Sequence, residues 1–286
     1  MSHEFVLPLF LGSCAPEEAE IALFGVCWDG TSSFKAGSRF AGFAVREASF
    51  GMEEFSFYQQ QSLLDIKYCD YGDLFLPPGQ KERVLEDIGS AVKEIRAKGQ
   101  FPIAFGGEHL VALPLILAAF AEHPDMALVH FDAHADLRPD LWGDTLTHAT
   151  IIGRAADRIG YQHLFQFGVR SGSAEEWQLA QAHQTLRPFT LEAIDEVLTK
   201  LGDRPIYLTL DMDVLDPSLY PGTGTPEPGG IGWDLLIAGL KRFQGRRLVG
   251  MDCLELAPHY DATGVSAITM AKTLREMIIL AQGRRR

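Results

Sequence analysis

A chain of 286 residues with 47% hydrophobic and 22% charged side chains has ordinary globular composition, enough for one large α/β domain or two small ones. The formal net charge of −13 makes duplex DNA or an anionic membrane a poor partner and suits a cationic ligand. The terminal Arg284-Arg285-Arg286 is too short to alter that balance and reads as a solvated tail.

Four cysteines (Cys14, Cys27, Cys69, Cys253) are scattered without CxxC spacing, the pattern of a reduced, cytoplasmic protein. Cys69 and Cys253 fall in apolar runs and read as small buried hydrophobes. No Lys or Arg precedes the apolar Phe5–Leu11, and Pro8 interrupts it, so no signal peptide is expected. The longest apolar run, Leu110–Ala121, is too short to span a bilayer.

In chain order, Ile21–Val26 predicts a strand, followed by a Gly/Ser loop at 29–42 and a short helix through Val45–Ser49. Ile66–Asp70 predicts a second strand. From Lys81 to Lys98 the residues Val84, Ile88, Val92 and Ile95 recur at helical spacing, and Gly99 ends the run. A strand at Phe101–Phe105 ends in Gly106-Gly107, with a helix through Leu113–Ala121. The apolar Ala127-Leu128-Val129 leads a strand into Asp132, and a helix is expected at about 149–158. Further strands are expected at His163–Val169, weakly at Leu186–Pro188, at Ile206–Asp211 and at Leu248–Leu254. Helices are expected near Ala174–Ala182, Leu191–Lys200, Trp233–Arg242 and Val265–Leu280. Alternation of about eight strands with helices, and no low-complexity linker, predicts one domain over residues 1–286 built on a mostly parallel sheet covered on both faces. The Pro/Gly-rich loop at 216–232 is long for a mere connection and is expected to be functional.

The polar residues then fall into a pattern. Side chains alternate along a strand, so Asp132, His134 and Asp136 are expected to point one way, as are Asp211 and Asp213. His109, Asp132, His134, Asp136, Asp211, Asp213 and Glu255 all lie at or beyond the carboxyl ends of four expected strands, where open parallel sheets bind ligands. Carboxylates gathered there repel one another unless cations neutralise them. With two histidines and no thiolate, the set favours a hard to borderline divalent ion, Mn²⁺ over Zn²⁺, and two ions over one. Such a pair activates water for hydrolysis at an electrophilic carbon or phosphorus. His123, His163 and His183 have no such company and read as surface or core residues.

Three stretches carry a resemblance. Gly106-Gly107-Glu108-His109, Asp132-Ala133-His134-Ala135-Asp136 and Asp211-Met212-Asp213-Val214-Leu215-Asp216-Pro217 are similar to the three signatures of the ureohydrolase (arginase/agmatinase) family. Asp29-Gly30-Thr31, Gly37-Ser38-Arg39-Phe40, Gly168-Val169-Arg170-Ser171, Pro221–Glu227 and Glu255-Leu256-Ala257-Pro258 fit as well. The resemblance implies a three-layer αβα sandwich with a binuclear manganese centre. One ion would be held by His109, Asp132, Asp136 and Asp211, the second by Asp132, His134, Asp211 and Asp213. A hydroxide between them would attack a guanidinium carbon and release urea and an amine. His148 matches the family's proton shuttle, Glu255 the glutamate that pairs with the guanidinium, and Thr225 a substrate-loop threonine.

Within the family, Pro221–Gly230 and Glu255–Asp261 resemble bacterial agmatinases, implying cleavage of agmatine to putrescine and urea in polyamine biosynthesis. Asp140 and Asp144 would favour the far amine of that dication. Arg138 opens the alternative of a carboxylate-bearing compound such as guanidinobutyrate, arginase being a further one. A metal-binding module without activity would have lost a ligand, the shuttle or the glutamate, and none is lost. The resemblance also implies a homo-oligomer, a trimer or hexamer. One departure stands out: the first signature has Glu108 and Leu110 where many members have Asp and Ser, and Glu108 is expected to support the site without binding metal.

Overall fold

The computed structural model describes residues 9–285. Much of the N-terminal run read for a signal peptide, Phe5–Pro8, and Arg286 lie outside that range. Among the described residues no helix is long and apolar enough to cross a membrane, and Cys69 and Cys253 are buried free thiols.

The strands are β1 (Ile21–Gly25), β2 (Phe55–Ser56), β3 (Gln61–Ser62), β4 (Tyr68–Asp73), β5 (Phe101–Gly106), β6 (Ala127–Phe131), β7 (Leu164–Phe167), β8 (Leu186–Arg187), β9 (Ile206–Asp211) and β10 (Leu248–Leu254). The helices are α1 (Ala41–Ser49), α2 (Lys81–Ala97), α3 (Ala112–Glu122), α4 (Ile151–Ile159), α5 (Ala174–His183), α6 (Ile194–Leu201), α7 (Trp233–Lys241) and α8 (Val265–Gln282). Eight strands form one sheet in the order β4-β1-β5-β10-β9-β6-β7-β8, parallel throughout. Strands such as β9 and β10 are buried along their whole length, which is why their sequences read as apolar runs without alternation.

Apolar residues of α1, α6, α7 and α8 pack on one face of the sheet, and those of α2, α3, α4 and α5 on the other. This is the expected three-layer αβα sandwich. In α2 the buried residues are Val84, Ile88, Val92 and Ile95, the stripe read from the sequence. Each is a core anchor; truncating the fully buried Ile88 to Ala costs about 2–5 kcal/mol. Helix α5 opens with a capping box in which Ser173 Oγ accepts from Glu176 N–H and Glu176 Oε2 accepts from Ser173 N–H.

Two details differ from the sequence expectation. Helix α1 starts at Ala41, earlier than expected, and α6 starts at Ile194, after a turn through Leu191. The β2–β3 hairpin was not anticipated, since two-residue strands leave no periodic pattern. It is held by α8: Arg275 donates to the carbonyls of Glu53 and Phe55, and Glu276 Oε2 accepts from Ser56 Oγ at 2.7 Å.

Candidate metal centre

The four strands expected to carry the site, β5, β10, β9 and β6, lie side by side in the middle of the sheet. Their carboxyl ends deliver the polar residues to one place. His109 opens a 3-10 turn after β5, Asp132 follows β6, Asp211 ends β9, Asp213 sits in the next 3-10 turn and Glu255 follows β10. Gly107 makes the first turn possible, because a Cβ there would stand 2.5 Å or less from the carbonyl oxygens of Val26 and Trp28. Asp136 (φ 51°) and Glu255 (φ 65°) hold left-handed backbone that costs an ordinary residue free energy, a strain typical of functional positions.

His109 Nδ1 lies 3.0 Å from Asp132 Oδ2, 3.3 Å from Asp136 Oδ2 and 3.4 Å from Asp211 Oδ2. His134 Nδ1 lies 3.0 Å from Asp213 Oδ2 and 3.4 Å from Asp132 Oδ1. The two oxygens of Asp132 therefore face two different histidines. Two ligand groups share that carboxylate, a geometry suited to a pair of ions. Six of the expected ligands thus converge, all buried except the partly exposed His134.

Sequence reasoning passed over the residues that aim these ligands. His130 Nε2 lies 2.8 Å from Asp132 Oδ2, close enough to join a metal cluster by distance. Its bonding places it behind the aspartate instead: Gln166 Nε2 donates to His130 Nδ1 at 3.1 Å, so Nε2 carries the proton and donates to Asp132. On the other flank, Thr209 Oγ1 lies 2.9 Å from His109 Nε2 and donates to Asp252 Oδ1 at 2.6 Å. The signal for both was strand parity, since His130 and Thr209 stand two residues before Asp132 and Asp211. Arg170 donates to the carbonyls of Asp213, Val214 and Glu227, tying the turn after β9 to the 216–232 loop.

Above these groups opens a cavity of about 400 Å³, lined among others by His109, His134, Asp136, His148, Thr225 and Glu255. Glu255 Oε1 accepts from His109 N–H at 2.9 Å, and Oε2 has no hydrogen bond among the described residues. Thr225 Oγ1 donates to Asp213 Oδ2 at 3.4 Å.

The Arginase family matches residues 19–280. An agmatinase of Bacillus subtilis is 43% identical over 267 residues, 92% of each chain. The structure of the agmatine ureohydrolase of Thermoplasma volcanium superposes with a TM-score of 0.87 at 29% identity, covering 98% of this chain and 96% of that one. Proclavaminate amidino hydrolase from Streptomyces clavuligerus does so at 0.87 and 27% identity, covering 96% and 97%. The chain belongs to the Arginase family.

In this ureohydrolase the electrostatics are those of a cluster short of positive charge. Burial pushes the Asp211 carboxyl well above the usual carboxylate range, with Asp213 and Asp132 adding to it. Burial and then Glu108 and Asp213 do the same to Glu255, and burial with Asp132 pushes Asp136 up to about 7. Burial opposes the charged forms of His109 and His134, yet the surrounding carboxylates hold both well above the usual histidine range. Burial lowers His148 to about 4, so it is neutral at physiological pH.

Not every expected substrate residue joins the cavity wall. Asp144 is engaged by Lys81 Nζ at 2.6 Å, and Asp140 accepts from Gly143 N–H, so neither lines the cavity and a grip on the substrate's far end finds no support in this placement. Arg138 does line it, with Nε 3.4 Å from Glu176 Oε2 of α5.

Proposed function

We propose that this protein hydrolyses agmatine to putrescine and urea, using two Mn²⁺ ions. The observation that carries the reading is the charge balance of the buried site. Five carboxylates (Asp132, Asp136, Asp211, Asp213, Glu255) gather around His109 and His134, with a neutral His130 behind Asp132 and no lysine or arginine paired to them among the described residues. With neutral histidines, five negative charges exceed the four positive charges of two divalent ions even before a hydroxide is counted, so the loaded site still favours a cation such as a guanidinium. The donor set fits the ions: carboxylate oxygens and imidazole nitrogens without thiolate suit a hard to borderline divalent metal. His109, Asp132, Asp136 and Asp211 would hold one, and Asp132, His134, Asp211 and Asp213 the other. When bound, such a pair lowers the pKa of water from near 16 toward about 7, supplying a nucleophile at neutral pH.

The chain's own residues do the rest. Glu255, a buried residue on the cavity wall whose Oε2 is free of protein partners among the described residues, receives the guanidinium; a carboxylate and a planar fork pair through parallel hydrogen bonds that orient the carbon. His148, neutral and on the cavity wall, takes up a proton at the reacting centre and returns it to the leaving amine nitrogen as its bond to carbon breaks. Thr225 narrows the cavity over Asp213. The reading extends to a single catalytic domain over 1–286, assembled as a trimer or hexamer in the cytoplasm. Agmatinase relatives at 43% identity support the choice of agmatine within the family.

One observation favours a second reading. The Arg138 side chain is 41% exposed, lines the cavity and among the described residues is paired by a long contact to Glu176, so it would accept the carboxylate of a compound such as guanidinobutyrate. Manganese-loaded protein is to be offered agmatine, arginine and 4-guanidinobutyrate, with urea measured for each. Agmatine is expected to show the highest kcat/KM. Preference for guanidinobutyrate would move the activity to that branch, and no urea from any compound would defeat the proposal.

A further inference from the structure

Glu108, where the first signature departs from the family pattern, turns its carboxylate to Thr31 and Ser32, and Thr31 in turn contacts His148. We infer that Glu108 and Thr31 are positioning residues that fix His148 as the tautomer protonated on Nδ1, leaving the lone pair of Nε2 beside Ser33 in the cavity. The inference rests on the proton-transfer role given to His148 above.

Glu108 is fully buried and does not line the cavity. Its carboxylate accepts the Thr31 backbone N–H at 2.9 and 3.1 Å, the Thr31 hydroxyl at 2.5 Å and the Ser32 hydroxyl at 3.1 Å. A glutamate carries its carboxylate one methylene further from the backbone than the family's aspartate, and here it closes on the Thr31–Ser32 turn. Burial works against charge on Glu108, but the Thr31 N–H and the two hydroxyls converging on it favour the ionised form, which only accepts, and a hydroxyl has a single proton. The Thr31 proton is committed to Glu108 by the shorter, charge-assisted bond.

Thr31 Oγ1 is therefore an acceptor toward everything else. It takes the His148 backbone N–H at 3.1 Å and stands 3.4 Å from His148 Nδ1. For that second contact to be favourable, Nδ1 must carry the proton. A neutral imidazole has one N–H, so Nε2 is left with its lone pair. Ser33 Oγ lies 3.1 Å from Nε2 and donates to it, and both Ser33 and His148 line the cavity. The chain Glu108–Thr31–His148 thus sets which nitrogen can accept a proton from the reacting centre. The loop that supplies Thr31 is itself pinned, since Asp29 Oδ2 accepts from the backbone N–H of Gly37 and Arg39.

Metal-loaded Thr31→Val, Thr31→Ser and Glu108→Gln proteins test this. Thr31→Val and Glu108→Gln are expected to lower kcat on the order of tenfold to a hundredfold. For Thr31→Val, KM should stay within about twofold of wild type, because binding is unaffected while proton transfer is impaired; Glu108→Gln also removes a charge acting on Glu255, so its KM is free to move. Metal content is expected at the wild-type level, and Thr31→Ser, which keeps the hydroxyl, should retain most of the rate. Neutron diffraction on the metal-loaded wild-type protein is expected to show deuterium on His148 Nδ1 and none on Nε2. Thr31→Val at wild-type kcat, or deuterium on Nε2, would overturn the inference. If Thr31→Val loses metal or fails to fold, the Thr31→Ser rate and the neutron density decide. Failure of the wild type to release urea from any guanidino compound would defeat the functional proposal, whereas the neutron result bears on the tautomer alone.

Discussion

Two buried clusters of charge in this protein are built differently. Between α1 and β4, Arg46 meets Asp70 through Nε at 2.7 Å and a second nitrogen at 2.9 Å, and Asp73 at 2.6 Å. Burial works against the arginine's charge, but the two aspartates outweigh it and raise its pKa. Asp70 also accepts from the backbone N–H of Phe10 and Gly72. The Arg46–Asp70 pair is closed, its donors and acceptors matched within the fold, while Asp73 joins it from the exposed edge. At the carboxyl edge of the sheet, five carboxylates gather with no arginine or lysine paired to them among the described residues, and burial and then neighbouring carboxylates push Asp211, Asp136 and Glu255 up. Matched buried charge holds the structure together, and unmatched buried charge waits for something from solution.

The largest effect should come from removing one shared ligand of the unmatched cluster. Asp211→Asn is expected to abolish both metal retention and urea release while leaving the metal-free protein at least as stable as wild type, because it relieves repulsion with Asp213 and Asp132. Metal analysis, the urea assay and thermal melts in chelator would check this; an active variant would count against a shared role. The opposite sign is expected at the matched cluster. Arg46→Met leaves Asp70 buried without its partner and should cost about 3–5 kcal/mol in urea unfolding, with metal content per folded protein unchanged.

Chelation should abolish activity and lower wild-type stability, by about 2.7 kcal/mol for each ion held at a hundredfold excess over its Kd. The same treatment should leave the melting temperature of Asp211→Asn where it was. The smallest effect belongs to a carboxylate in neither cluster. Asp216 accepts from Ser218 N–H and Oγ and from the backbone N–H of Gly229 and Gly230, and those bonds, the Ser218 hydroxyl foremost, lower its pKa to about 2. Its folded value lies below the unfolded value near 3.9, so its contribution is present above about pH 4 and is lost as pH falls through about 2. Asp216→Asn should therefore cost a small loss of Tm at pH 7 that shrinks as pH falls below about 4 and vanishes only once pH is below about 2.

Much of this was legible in the chain. The apolar runs of β9 and β10, the α2 stripe and the Gly106-Gly107 turn have local causes, and each is found where its pattern lies. The convergence of His109, Asp132, Asp211 and Glu255 followed from their places after strands, although only the sheet order shows those strands to be adjacent. The hairpin at 55–62 depends on Arg275 and Glu276, more than 200 residues away in the chain, and nothing near it in sequence announces them. Asp144 looked available because Lys81, its partner, is distant in sequence. His130 was visible by parity but mute about its proton until Gln166 came into contact with it. Long-range pairing of polar side chains is what the chain conceals.

The central claim is that the excess of carboxylates exists to hold two divalent ions. Anomalous diffraction from crystals grown with manganese measures this directly. The account predicts two peaks roughly 3.5–4 Å apart, one beside His109 and one beside His134, with Asp132 reaching both. A single peak, peaks elsewhere, or none at saturating manganese would contradict it.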